Sequence, residues 1–153
     1  MSSIRHSDEI DMERQQSESE VAYLPDFFRD KPMLDYVAVS QWLNKRELLA
    51  HLCTANVRRL GTQESIALAQ RILGKRTIVR VKKTRTSWAY PHNESMTLAC
   101  DARRTVKLVS ILHECAHILD YRKGRVLGHS AHGEPFKRTY ARLLREHADP
   151  FSS

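Results

Sequence analysis

The residues best equipped for chemistry lie in one short run, His113-Glu114-Cys115-Ala116-His117. On a helix, residues four apart stand one turn apart on the same face, so both imidazoles reach toward one point. Two converging imidazoles are a donor pair for a divalent transition metal, zinc above all. Glu114 projects beside them and reads as a general base, free of the metal itself. Zinc brings the pKa of a bound water down toward about 7, and Glu114 would take its proton and pass it to a leaving group. The implied chemistry is metal-assisted hydrolysis.

Two histidines leave a tetrahedral site short of a protein ligand. Downstream stands His129-Ser130-Ala131-His132-Gly133-Glu134-Pro135-Phe136. His132 is the first choice for the third ligand. It precedes a helix on a chain that turns back after Gly124, and Gly133 beside it permits close backbone approach. His129 competes with it, followed by Asp120 and Glu134. Asp120 follows His113 by seven residues on nearly the same helical face. It fits a carboxylate that orients an imidazole, or an ordinary surface aspartate, as well as a ligand.

The elements that must hold these groups are legible in the periodicity. TVKLVSILHECAHILDYRKG predicts a helix with Val106, Val109, Leu112, Ala116 and Leu119 on a buried face and Gly124 at its end. A last helix is expected over Glu134 to His147, with Pro135 in its first turn and Phe136, Tyr140, Leu143 and Leu144 at helical spacing. Upstream, a helix is predicted from about Ser40 to Arg59 with Gly61 as its C-cap. A second runs from Thr62, a candidate N-cap, to Leu73, with Gly74 ending it. TIVRVKK then switches to period two, with Val79 and Val81 on one face and Arg80 and Lys82 on the other. SWAYPHNESMTLAC reads as extended segments around a turn at Pro91, His92 and Asn93, with a strand from Met96 to Cys100 and a polar connection through Asp101 to Arg104. The fold class expected is α+β, a small mixed sheet packed on helices.

Composition bounds the rest. A chain of 153 residues suits one core-forming domain. Residues 1–20 are polar, acidic and Ser/Gln-rich, and read as a disordered tail ahead of a domain over 21–153. No apolar run approaches the roughly 20 residues that cross a bilayer, and the N-terminus has no apolar signal core. A cytoplasmic location without membrane attachment follows as the expectation. Cys53, Cys100 and Cys115 form no CxxC pair and read as reduced thiols. The formal charge of +7 gathers in basic runs, Arg71 to Arg85 and Arg122 to Arg145. Such a field attracts nucleic acid or an acidic partner, or simply solvates a surface.

The span from Met96 to Leu144 resembles the metal-binding core of SprT-like (Spartan-type) zinc metalloproteases, and is similar to small bacterial and phage metallohydrolases with the same motif. The pieces that carry the likeness are MTLACDARRTVKLVSILHECAH and AHGEPFKRTYARLL. The resemblance implies a minimal zincin-like fold, His113, His117 and His132 as zinc ligands, Glu114 as catalytic base, and Phe136 packed behind the site. It also implies a polypeptide substrate, added as a strand beside the stretch from Tyr90 to Leu98. Tyr140 or a nearby arginine would face the oxyanion, although Tyr140 reads more readily as a core or rim aromatic. Two features depart from the pattern: no cysteine zinc ribbon is readable, and Cys115 stands where an apolar residue is commoner. The competing reading is a basic, nucleic-acid-associated binding protein with a structural or vestigial zinc site.

Overall fold

The computed structural model describes residues 46–124 and 133–151. These fall almost wholly in Ala50–Ser153, the second of two units into which the chain divides. The predicted tail, residues 21–45, and residues 125–132 with His129 and His132 lie outside the described residues. In chain order the elements are α1 (Arg46–Val57), β1 (Arg59–Gly61), α2 (Thr62–Leu73), β2 (Ile78–Lys82) and β3 (Trp88–Tyr90). A 3₁₀ turn (Pro91–Asn93), β4 (Ser95–Ala99), β5 (Thr105–Lys107), α3 (Leu108–Arg122) and α4 (Glu134–His147) complete them. The class is α+β.

The larger sheet has the order β2-β4-β3 and is mixed. β2 lies parallel to β4, with Val79 opposite Met96 and Val81 opposite Leu98. β3 returns antiparallel, with Ala89 also opposite Met96. This register gathers Val79, Val81, Met96, Leu98 and Ala89 on one face, where α2 and α3 pack. Met96 and Leu98 are fully buried there. Arg80 and Lys82 alternate onto the other face, as a period-two strand requires. β4 is thus the central strand with both edges paired, so within the Tyr90 to Leu98 stretch the part from Ser95 to Leu98 offers no free edge. Of the two strands beside it, β3 has the edge nearer the motif helix α3, and that edge is unpaired among the described residues.

Three expectations need correction. Residues Thr105–Lys107 do not open the motif helix; they form β5, antiparallel to β1, and α3 begins at Leu108. Local periodicity cannot reveal that pairing, because β5 finds its partner some forty-five residues upstream. Gly61 does not cap α1 either. It ends β1 and is the N-cap of α2. Thr62 is consequently the first helical residue, and its hydroxyl donates to the Arg104 carbonyl at 3.1 Å. The ends of α2 and α4 fall at the predicted residues. Gly74 and Gly124 close α2 and α3 with φ of 105° and 79°, the region glycine enters without strain.

The connection from β4 to β5 is built around Asp101. Its Oδ1 accepts from the backbone N–H of Arg103 at 3.0 Å and of Thr105 at 2.8 Å. Its Oδ2 accepts from the Thr105 hydroxyl at 2.8 Å and from Arg59 on β1 at 3.3 Å. These donors favour the carboxylate, the Thr105 bonds most of all, and hold its pKa below the ordinary value. Arg104 sits in the turn at φ 61°. One side chain therefore tethers β5 to β1 just ahead of the motif helix. A carboxyl with a lowered folded-state pKa contributes stability above its unfolded pKa and loses it as pH falls through the folded one. Asp101→Ala is expected to lower the thermal midpoint at pH 7, with the gap to the parent closing as pH drops below about 4. Thermal melts across pH read this directly; a gap that persists at pH 2 would show that the charge is not its source.

Candidate metal centre

α3 is buried on nearly every side, with Leu108, Val109, Ile111, Leu112, Cys115, Ala116 and Ile118 all in the core. Into this apolar helix the sequence inserts His113, Glu114 and His117. His113 and Glu114 are buried and His117 is partly so. The four-residue spacing acts as geometry requires: the two Nε2 atoms approach to 3.1 Å, with ring planes 75° apart. The Glu114 carboxylate belongs to the same group, whose ligand atoms all lie within 4.8 Å of one another.

α4 walls the site from the other side. Phe136 stacks on the His117 ring, with centroids 4.4 Å apart and planes 28° apart, and meets His113 edge-on at 5.1 Å. Tyr140 meets His113 edge-on at 5.3 Å and Phe136 at 5.5 Å. Phe136 is thus the packing residue expected behind the site. Tyr140 is a core aromatic, fully buried, with its phenol pKa pushed up by burial and by the Glu114 charge. Cys115 packs in the core as a small hydrophobe, and burial likewise pushes its thiol up.

The donors fit a tetrahedral cation. Nitrogens roughly 2.0–2.1 Å from such an ion stand roughly 3.3 Å apart, so the observed 3.1 Å needs only a slight ring adjustment. The same distance also accommodates a direct N–H···N hydrogen bond between the rings, the form open to a metal-free site. Glu114 is the group under most tension. At 5% exposure, desolvation lifts its pKa to about 8.

Asp120, weighed as a ligand, an orienting carboxylate or a surface residue, is buried and so is no surface aspartate; it stands outside the His-Glu-His group. His132, His129 and the Glu134 side chain lie outside the described residues. The periodicity gave no sign of one positioning contact. Arg122, at the end of α3, holds Glu94 through Nε at 2.8 Å and Nη2 at 2.7 Å. Its Nη2 also reaches the Thr77 hydroxyl at 3.4 Å. Glu94 sits between β3 and β4 in the left-handed region, φ 50°, so this pair fastens the motif helix to the sheet. A basic residue in a helix's last turn was the only cue in the sequence.

Compared with known proteins, the chain matches no family model, no curated protein and no solved structure.

Burial of Glu114 has a measurable consequence. A carboxyl whose folded-state pKa is raised to about 8 destabilises the fold progressively as pH rises above about 4.5, with the full penalty present above pH 8. In excess chelator, Glu114→Gln is expected to be more stable than the parent at pH 9 by several kcal/mol, and nearly equal at pH 4. Urea unfolding at the two pH values measures this. Equal stability at pH 9 would mean that the carboxylate is better solvated than its burial implies.

Proposed function

We propose that the chain is a zinc-dependent hydrolase acting on peptide bonds, with Glu114 as its general base. The observation that carries this reading is the pair of imidazoles meeting at 3.1 Å beside a buried carboxylate. His113 and His117 bind the ion, and His132 is the third ligand we assign from the sequence. Zinc, when bound, supplies a Lewis acid that polarises a carbonyl and acidifies water.

The chain's own groups do the remainder. Glu114 takes a proton on its carboxylate oxygen and holds it until the departing amine needs it. A nearby cation favours the ionised form of Glu114, offsetting the burial that otherwise keeps it protonated near neutrality. Phe136 and Tyr140 fix the imidazole planes and keep water from the inner side of the site. β3 supports a polypeptide substrate: its outer edge is unpaired among the described residues and it packs near α3. An extended peptide can hydrogen-bond along that edge as an added strand. A zincin-like arrangement is part of this proposal. No helix among the described residues is long and apolar enough to cross a membrane.

The alternative, a binding protein with a structural zinc, differs in its demand on Glu114. A structural site is closed by four protein ligands and has no use for a buried base. Metal analysis and cleavage of an unfolded polypeptide, followed by mass spectrometry, separate the two. The parent is expected to hold one zinc per chain, His117→Ala and His132→Ala to lose most of it, and Glu114→Gln to keep it. Cleavage by Glu114→Gln is expected to fall by about 10²–10⁴-fold. Undiminished cleavage in that variant, or zinc loss along with activity, would remove Glu114 from the role of base.

A further inference from the structure

Among the described residues, helices pack on one face of the larger sheet, and its other face combines aromatic and cationic side chains in a way the metal centre does not use. Trp88 and Tyr90 alternate onto it from β3 and are 59% and 38% exposed. The register places Thr97 between Trp88 and Arg80 in one row, and Ser95 between Tyr90 and Ile78 in the next. Lys82 extends the basic side beside Ala99. The floor of the face is therefore small, made of Ser95, Thr97 and Ala99, with flat rings along one rim and cations along the other. Two interstrand spacings separate the rims, roughly 10 Å. Lys83 and Arg85, both exposed, continue the positive charge in the connection from β2 to β3. No acidic residue lies on β2, β3 or β4, and neighbouring Glu94 is engaged by Arg122. Ser95 is itself buried, while Arg80, Lys82, Trp88 and Tyr90 around the floor are exposed.

We propose that this sheet face binds single-stranded nucleic acid. The occupant follows from the chemistry of the two rims. Four cations within six residues, Arg80, Lys82, Lys83 and Arg85, complement a phosphate backbone. Trp88 and Tyr90, two residues apart on one side of a strand and so roughly 7 Å apart, offer exposed aromatic rings on which bases not already stacked in a duplex can stack. A protein partner with an acidic surface would match the cations but leave the tryptophan without a specific role. The covered face of the sheet, where α3 packs, is the opposite one, so a bound strand leaves the metal centre clear.

The test is a fluorescence titration of the full chain carrying Trp42→Phe, so that emission reports Trp88 alone, with an oligothymidylate of about ten nucleotides. Quenching on binding is expected. Trp88→Ala, followed by anisotropy of the labelled oligonucleotide, is expected to weaken binding about tenfold, and Trp88→Phe to retain most of it. Replacing Arg80 and Lys82 together by Ala is expected to flatten the slope of log affinity against log salt by roughly 1.4, about 0.7 for each phosphate that is no longer neutralised. Removal of metal by chelator is expected to leave binding unchanged, which keeps this result separate from the hydrolase reading. Absence of binding, full affinity in Trp88→Ala, tighter binding of a duplex, or equal competition by polyglutamate would each overturn the proposal.

Discussion

The motif helix must be apolar enough to sit in the core and polar enough to carry three titratable groups, and the rest of the fold answers to that conflict. Burying an imidazole or a carboxylate without partners costs several kcal/mol in an apolar setting. The cost is contained here because the groups are placed together: His113 and His117 converge within hydrogen-bonding distance and Glu114 stands in the same cluster. What remains is concentrated on Glu114, whose raised pKa records how poorly the site accommodates a lone negative charge. A carboxylate in that position is tolerable beside a cation and awkward without one. The electrostatics thus point the same way as the geometry.

Each neighbouring element has a recognisable part in holding that arrangement. α4 supplies Phe136 and Tyr140, whose rings limit how the imidazoles can rotate. The Asp101 turn and the β1–β5 pair fix where α3 starts, through the bond from Leu108 N–H to the Arg58 carbonyl at 2.9 Å. Arg122 and Glu94 fix where it ends against the sheet. The Arg122 pair is partly solvated and contributes little to global stability, on the order of 1 kcal/mol or less. Its value is positional. A helix held at its start, along one flank and at its end has little freedom to swing its two histidines apart.

How much of this was legible in the sequence depended on whether the information was local. The limits of α2 and α4 are set by residues within or beside them: Gly74 at one end, Pro135 in a first turn, and apolar stripes between. The imidazole pair was equally local, since a spacing of four on a helix leaves little choice. β5 was not. Thr105, Val106 and Lys107 continue the apolar rhythm of α3 well enough to read as its first turn, and only pairing with Arg59–Gly61 makes them a strand. Gly61 misled for the same reason, because a glycine after an apolar run suggests a cap until the strand it ends is known. Asp120 shows the limit within a helix: sequence put it on nearly the same face as His113, yet it is buried and does not join the group. Its fate was decided by what packs against α3, which no spacing rule contains.

The edges and faces of the sheet raise a different question, that of why a small sheet tolerates so much exposed apolar surface. Sheets protect unpaired edges with charge, proline or brevity, and all three occur here. β2 carries Arg80 and Lys82, and β3 is three residues long and stopped by Pro91. Those devices guard against unlimited strand addition by other copies, since three residues support few backbone bonds. They do not explain Trp88, whose ring stands open to water beside a small-residue floor. An aromatic placed for packing would alternate to the covered face, where Ala89 sits instead. In a strand of three residues, the inward position is given to the smallest side chain and the outward ones to a tryptophan and a tyrosine. That inversion of the usual amphipathic order leaves both large rings exposed on the outer face, at a cost in apolar hydration that packing against α3 does not offset.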